Sequence, residues 1–378
     1  MFADLLRERL LRRKQENTYR VLRSIPEGAT DLSSNDYLGL IHSGRLNELL
    51  NKQFSEYSTL TGAGGSRLIS GDSTILEELE SYIAAFYGSE AALTFSSGYD
   101  ANLSLVATLG SIEGTTLLYD EKIHASMRDG FRLARARSYH FRHNDLEDLE
   151  SHLKRIDGRS IVFVESVYSM DGDQAPLAEL VQLLKKFPSE LVVDEAHSVG
   201  VYGAKGEGLV SHLTLADDVL ARVCTWGKAH GSQGAAIVSS QLLKDFLVNF
   251  ARPFIYTTGI SALIAKAALC SYTVVAESSS ERTALFKLIE HFQTLTLPPF
   301  FQLSTNDSPI QTIQFTDGER QDVKLLSELA SNLRELGFFI VPIFHPTVPK
   351  GAERIRISLH SFNSPEELRT LFSVLSQV

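Results

Sequence analysis

The sequence predicts an α/β fold in two parts, a large domain on a mostly parallel sheet and a smaller α+β domain behind it. Three observations carry this. From about residue 60 to residue 240, short apolar runs alternate with helical patterns, the order that a parallel sheet with crossover helices requires. Several runs end at once in polar or glycine-rich turns, where open α/β sheets gather their sites. After about Cys270 that alternation is lost.

The elements follow in chain order. Asp4, Arg7, Glu8 and Arg9 interrupt the apolar residues of the first stretch, Met1 to Arg13, so an amphipathic helix or arm is expected rather than a signal peptide. Thr74 and Glu77 have capping-box spacing; Leu76, Leu79, Ile83 and Phe86 follow at helical intervals, and Gly88 supplies a stop. Candidate strands are Ala92–Phe95, Thr116–Tyr119, Ile161–Val164, Leu191–Val193, Val223–Thr225 and Ala235–Val238. Further on, Ile310–Phe315 reads as a strand, and a helix through Leu326, Leu329, Leu333 and Leu336 stops at Gly337. Strands at Phe338–Val341 and Arg354–Leu359 precede a helix opened by Ser364-Pro365-Glu366-Glu367. In the second of these, Ile355, Ile357 and Leu359 face one way and Arg354, Arg356 and Ser358 the other. The expected divisions are residues 1–40 as an N-terminal arm, 41–270 as the large domain and 271–378 as the small one.

Composition narrows the function. The 378 residues are 43% hydrophobic and 22% charged, ordinary for a globular protein. A formal net charge of −10 argues against a nucleic-acid or anionic-membrane binder. The two cysteines, Cys224 and Cys270, lack metal-ligand spacing and suggest neither a zinc site nor a disulfide framework. No apolar stretch approaches the ~20 residues of a membrane span. The cytoplasm is the expected location.

The chemistry concentrates in two segments. Lys228 lies in Thr225-Trp226-Gly227-Lys228-Ala229-His230-Gly231, and an earlier apolar run ends in Asp194-Glu195-Ala196-His197. An amine, a carboxylate and an imidazole, each delivered from the end of a buried strand, are the groups a pyridoxal phosphate site needs. The amine forms the Schiff base, the acid faces the pyridine nitrogen, and a donor meets the phenolic oxygen. An unperturbed lysine is neutral only about once in a few thousand at pH 7, so a working one is desolvated or covalently committed. Ser96-Ser97-Gly98-Tyr99 joins a strand to a helix, and small residues there let backbone N–H groups approach an anion.

Each motif has a plainer reading. Asp194 would serve equally as a helix N-cap, and His124 and His197 as ordinary structural histidines. Arg128, Arg132 and Arg135 lie at helical spacing and fit a solvated face better than an acidic carrier. Arg356 is either a carboxylate clamp or a surface ion pair. The Asp-Glu-Ala-His letters also occur in helicases, but a phosphate loop needs Ser or Thr after its lysine, and Ala229 follows Lys228. Gly62-Ala63-Gly64-Gly65-Ser66-Arg67 carries arginine at the last glycine position of a dinucleotide fingerprint. His140-Phe141-Arg142-His143 lacks supporting metal ligands.

Read together, these motifs resemble the pyridoxal phosphate-dependent α-oxoamine synthases of the aspartate aminotransferase fold, fold type I. The resemblance runs through residues 33–40, 64–71, Ser169-Met170-Asp171-Gly172-Asp173, Asp194 to His197 and the Lys228 segment. Residues 231–236, 254–258 and 346–349 look most like the biotin-pathway members of the family. Two departures stand out: His230 occupies a commonly apolar position, and Phe344-His345 replaces an arginine and a proline often found there.

The resemblance implies a seven-stranded, mostly parallel sheet, pyridoxal 5'-phosphate as cofactor, and a homodimer with shared active sites. Lys228, His124 and Asp194 would be catalytic, with His124 stacked on the cofactor ring. His197 and Ser169 would contact the phenolic oxygen. Gly98, Tyr99 and Thr225 would bind phosphate, helped by Thr257 and Thr258 across the dimer. Arg356 with Asn35 would take an amino-acid carboxylate, Thr347 would line the substrate site, and Arg20 is the candidate for an N-terminal arginine at the acyl site. The expected substrates are L-alanine and an acyl thioester of coenzyme A or acyl carrier protein, with sister enzymes that use glycine or serine as the alternative.

Overall fold

The computed structural model describes residues 1–53, 61–316 and 323–377. They form two compact units, one of residues 1–37, 169–173 and 283–378, the other of residues 38–168 and 174–282. The boundary expected at residue 270 falls inside the helix Ala262–Glu277, and the division comes instead between Arg282 and Thr283. Residues 1–37 group with the C-terminal segment rather than standing as a separate arm.

The chain begins with the helix Phe2–Gln15, none of whose residues is buried, and reaches a short strand, β1 (Thr30–Asp31). The unit that follows is built on seven strands: β2 (Ala91–Phe95), β3 (Thr115–Asp120), β4 (Arg137–Phe141), β5 (Arg159–Glu165), β6 (Ser189–Asp194), β7 (Ala221–Thr225) and β8 (Ala235–Ser239). Their order across the sheet is β2-β8-β7-β6-β5-β3-β4, with β8 antiparallel to both neighbours and the remaining pairings parallel. This is the predicted mostly parallel sheet. Strand β4 is an edge strand that the apolar pattern did not announce.

Two-residue alternation supplies two cores. Leu93, Phe95, Val192, Val223 and Ile237 pack on one face with Leu105 and Val106 of the helix Gly98–Leu109. Ala92, Cys224, Ala236 and Val238 pack on the other, against Leu76, Leu79 and Ile83 of the helix Thr74–Tyr87 and Tyr272 of Ala262–Glu277. Strands buried on both faces read as continuous apolar runs, which is why most of them were legible. The expected capping box at Thr74 is not formed. Ser73 is the N-cap, without a side-chain hydrogen bond, and Thr74 already lies inside the first turn. Gly88 ends the helix as expected, in the left-handed conformation at φ 65°.

The other unit carries β9 (Phe301–Leu303), β10 (Ile310–Phe315), β11 (Phe338–Phe339), β12 (Pro342–Ile343) and β13 (Arg354–Ser358). Strand β11 pairs with β1 in parallel; the remaining four form an antiparallel sheet in the order β12-β13-β10-β9. Helices Val323–Glu335 and Pro365–Leu375 complete the unit. The second opens with the expected capping box of Ser364 and Glu367. Strand β11 is shorter than the predicted Phe338–Val341, because Pro342 begins the next strand and has no N–H to extend the ladder.

Candidate active site

In the sheet unit, parallel register lines up the carboxyl ends of β5, β6 and β7, with Glu165 opposite Asp194 and Asp194 opposite Val223. Side chains leaving those ends converge on one rim.

Asp194 closes β6 and is buried. One carboxylate oxygen accepts the Ala196 N–H at 2.9 Å, and the other accepts the Asn102 side-chain amide at 2.7 Å. The residues after it form turns rather than a helix, so the N-cap reading fails. Glu195 stabilises that turn from below by accepting from the Ser198 hydroxyl, the Val210 N–H and the buried Arg222 guanidinium. His197 is buried within the same turn.

Lys228 sits in the connection between β7 and β8. The Trp226 N–H bonds to the Gly234 carbonyl at 2.9 Å, the Ser232 N–H to Trp226 and the Gly231 N–H to the Lys228 carbonyl. Gly231 and Gly234 take positive φ there, at 61° and 108°, conformations that side-chain-bearing residues rarely adopt. A short, closed turn therefore holds the lysine.

His124 caps the helix Ala125–Leu133, its Nδ1 within 2.7 Å of the Ser126 hydroxyl and accepting the Ser126 N–H at 3.3 Å. Although the residue keeps accessible surface, desolvation by the protein around its ring holds its pKa below the usual value. The Asp194 carboxylate opposes that shift and the Lys228 ammonium reinforces it, so both groups act electrostatically on the imidazole.

The elements expected to bind phosphate also come together. A Cβ on Gly98 would lie 2.6 Å from the Thr225 Cγ2, so only glycine fits where the helix Gly98–Leu109 starts against the end of β7. The Thr225 hydroxyl is buried without a hydrogen-bond partner. Helix geometry leaves the N–H groups of Gly98 and Tyr99 without intrahelical acceptors. The Ser96 and Ser97 hydroxyls are already spent on Asp100, and the Tyr99 hydroxyl on Asp129, so the backbone and Thr225 are the donors that remain. Thr257 and Thr258 are exposed and make no hydrogen bond within the described residues.

The second unit holds the remaining candidates. Arg354 and Arg356 are both buried on β13, which excludes a surface ion pair for either. Arg354 is paired with Asp171. Arg356 has no carboxylate among the described residues. It donates to the Ser169 carbonyl at 2.7 Å, the Ser358 hydroxyl at 2.8 Å, Asn35 Oδ1 at 2.9 Å and the Tyr37 hydroxyl at 3.4 Å. Burial pushes the Tyr37 phenol up to about 12 against the pull of Arg356, so it stays neutral and donates to Asn35. Four neutral oxygens orient this guanidinium without cancelling its charge, and a buried cation of that kind suits an anionic ligand. The Arg20 guanidinium donates to the Thr347 hydroxyl at 3.4 Å.

Sequence reasoning did not single out Asn102 or Ser126 as site residues. Their signal was weak: a poor helix former inside an apolar helical pattern, and a serine two residues beyond His124. Arg128 and Arg132 bond locally to the Glu121 and Ile123 carbonyls and to Asp129, as a solvated face would. His143 bonds to Asp120, and no His, Cys, Asp and Glu cluster among the described residues could hold a metal ion. Among the same residues no helix is long and apolar enough to cross a membrane.

His230 is a departure with a measurable consequence. Its imidazole is fully buried, edge-on to Tyr272, with Nδ1 3.1 Å from the Ser271 hydroxyl and Nε2 without a partner. Burial pulls its pKa down to about 3 from 6.5. The unfolded chain therefore takes up a proton below about pH 6.5 that the folded one refuses, and stability falls as the pH drops from there toward about 3. Between about pH 7.5 and 5.5 the loss is about 1.4 kcal/mol. Urea unfolding at the two pH values should show His230→Leu free of that increment. An equal pH slope in both proteins would contradict the assignment.

The groups assembled in the sheet unit fit pyridoxal phosphate: an unpaired hydroxyl and helix N–H groups for a phosphate, a buried carboxylate for a ring nitrogen, an amine for an aldehyde. Comparison with known proteins agrees. The aminotransferase class I and II family matches residues 27–375. An 8-amino-7-oxononanoate synthase from Emericella nidulans is 37% identical, over 99% of this chain and 95% of its own. Among solved structures, an 8-amino-7-oxononanoate synthase from Francisella tularensis superposes with a TM-score of 0.79 at 29% identity, over 93% of this chain and 98% of that one. A serine palmitoyltransferase from S. paucimobilis, with a bound PLP–myriocin aldimine, superposes with a TM-score of 0.86 at 25% identity, over 99% and 96%. The chain belongs to the aminotransferase class I and II family, and within it to the pyridoxal phosphate-dependent α-oxoamine synthases, as an acyltransferase most like 8-amino-7-oxononanoate synthase.

Proposed function

We propose that the protein condenses L-alanine with a pimeloyl thioester, of coenzyme A or acyl carrier protein, to give 8-amino-7-oxononanoate, carbon dioxide and the free carrier thiol in biotin biosynthesis. The observation that carries an amino-acid substrate is Arg356, a buried guanidinium held by neutral oxygens and lacking an acid among the described residues. The sequence relatives are named 8-amino-7-oxononanoate synthase, which supports that product. When bound, the cofactor supplies a sink for the electron pair left by the amino acid's Cα–H bond. The chain's own groups do the rest. Arg356 would hold the carboxylate, Lys228 would hold the cofactor by its aldehyde and supply the amine that takes the α-proton, and Asp194 would keep the ring nitrogen protonated. His124 donates toward the thioester carbonyl as the new carbon–carbon bond forms. Ser169 and His197 are assigned to the cofactor's phenolic oxygen. Thr257 and Thr258, exposed in one chain, are assigned to the phosphate of a partner in a cytoplasmic homodimer.

A second reading has a specific observation behind it. Serine palmitoyltransferases are among the structural neighbours over nearly the whole chain, so a sister reaction with serine or glycine is the alternative. Purified protein should be offered alanine, glycine and serine, each with pimeloyl and palmitoyl thioesters, while carbon dioxide release is followed. Turnover confined to alanine with the pimeloyl donor is expected. A preference for serine with the long acyl chain would replace this reading with the alternative.

A further inference from the structure

Two side chains, those of Asn102 and Ser126, link the carboxylate at position 194 to the imidazole at position 124. The Asn102 amide nitrogen donates to Asp194 Oδ2 at 2.7 Å and to the Ser126 hydroxyl at 3.0 Å; the Ser126 hydroxyl lies 2.7 Å from His124 Nδ1. Asn102, Ser126 and Asp194 are all buried, at 2%, 0% and 4% exposure, so water does not compete for the bonds among these three.

The direction of each bond follows from what each group can do. A carboxylate only accepts, so the Asn102 side chain must present its NH2 to Asp194. Its carbonyl oxygen is left buried with no partner, which shows that the carboxylate fixes the orientation at the expense of that oxygen. The second amide hydrogen goes to the Ser126 oxygen. That hydroxyl, already accepting, turns its one hydrogen to His124 Nδ1, and the Ser126 backbone N–H points at the same nitrogen at 3.3 Å. Two donors therefore face Nδ1 and leave no place there for a proton.

We infer that Asn102 and Ser126 are positioning residues that hold His124 as the neutral tautomer carrying its proton on Nε2. Their use in catalysis rests on the reaction proposed above, because an Nε2–H is the donor a thioester carbonyl meets there. The tautomer itself does not depend on that reaction. Asp194 thus serves two ends. It faces the cofactor, and through one amide it dictates which nitrogen of His124 is the donor.

The test uses the full-length protein, labelled with 15N at its histidines and stripped of cofactor. Two-bond proton–nitrogen correlation spectra near pH 7.5 identify each tautomer, and loss of one set of signals in His124→Gln assigns this ring. Wild-type protein should show the Nε2–H form alone. A proton on Nδ1, or an imidazolium, would overturn the inference without recourse to any variant. Ser126→Ala should give a tautomer mixture, and Ser126→Thr, which keeps the hydroxyl, the wild-type form. Retention of pure Nε2–H in a folded Ser126→Ala protein would remove Ser126 from the role. In the loaded enzyme, Ser126→Ala should lower kcat/KM for the acyl thioester about 10- to 100-fold with little change in the amino-acid KM. An unchanged thioester kcat/KM beside a shifted tautomer would sink its catalytic use. A correct tautomer in an enzyme that accepts no acyl thioester would instead condemn the proposed reaction and leave the positioning intact.

Discussion

Lys228→Ala should produce a folded, colourless protein without measurable turnover. The backbone argues that it folds. The turn is closed by the Trp226, Ser232 and Gly231 N–H groups, all bonding to carbonyls, and none of these bonds uses the lysine side chain. Ala229 and Trp226 on either side are buried and unaltered. The melting temperature should therefore move little. What disappears is the amine, to which the proposed reaction gives two duties: covalent attachment of the aldehyde and removal of the α-proton. General-base catalysis alone contributes about 10²- to 10⁴-fold, and loss of covalent capture adds to it. The rate should fall by more than about 10⁴-fold, which is more than about 5 kcal/mol of barrier. Borohydride treatment of the wild-type enzyme followed by peptide mapping should place the reduced adduct at position 228. An adduct on another lysine, or substantial residual turnover in the variant, would remove Lys228 from the chemistry.

How far such a site can be read from sequence depends on where its residues stand. Lys228, Asp194, His124 and Thr225 were legible because each ends or closely follows a buried apolar strand, and a polar group in that place has few structural excuses. Arg356 was legible as a polar position on an alternating strand, but its burial was not. Only the structure shows Arg354 matched with Asp171 and Arg356 without an acid. Strand β4 was missed because, as an edge strand, it exposes Arg137, Tyr139 and His140 and presents no apolar run. Asn102 and Ser126 were missed for another reason. Each is an unremarkable polar residue near the start of its own helix. Their meaning arises from packing of the helices Gly98–Leu109 and Ala125–Leu133, where a Cβ on Gly130 would already lie 2.7 Å from Val106. Such close approach brings residues 102 and 126 within hydrogen-bond distance, and no local pattern encodes it.

Asp194→Asn should leave the fold intact and reduce turnover by at least about 10²-fold, about 2.7 kcal/mol of barrier. The new side chain has the same shape, and its carbonyl oxygen still accepts the Ala196 N–H. Its amide would then confront the Asn102 amide, donor against donor. A flip of Asn102 resolves this, because its buried, unpartnered oxygen gains a donor. The flip carries the Asn102 NH2 to the place where its oxygen had no partner, so about 1–3 kcal/mol of stability is given up while the fold is kept, and two functional links are lost. A neutral amide no longer holds a proton on the pyridine nitrogen, which weakens the electron sink that α-proton removal needs. The flipped Asn102 oxygen also draws the Ser126 hydroxyl hydrogen toward itself and away from His124 Nδ1. Exchange of the alanine α-proton with deuterated solvent isolates the first loss, because it requires no acyl donor. Exchange at least about 10²-fold slower than wild type, in a protein that is folded and unfolds cooperatively, is the expected result. Exchange at the wild-type rate would mean that Asp194 does not govern the ring nitrogen, whatever else the substitution does.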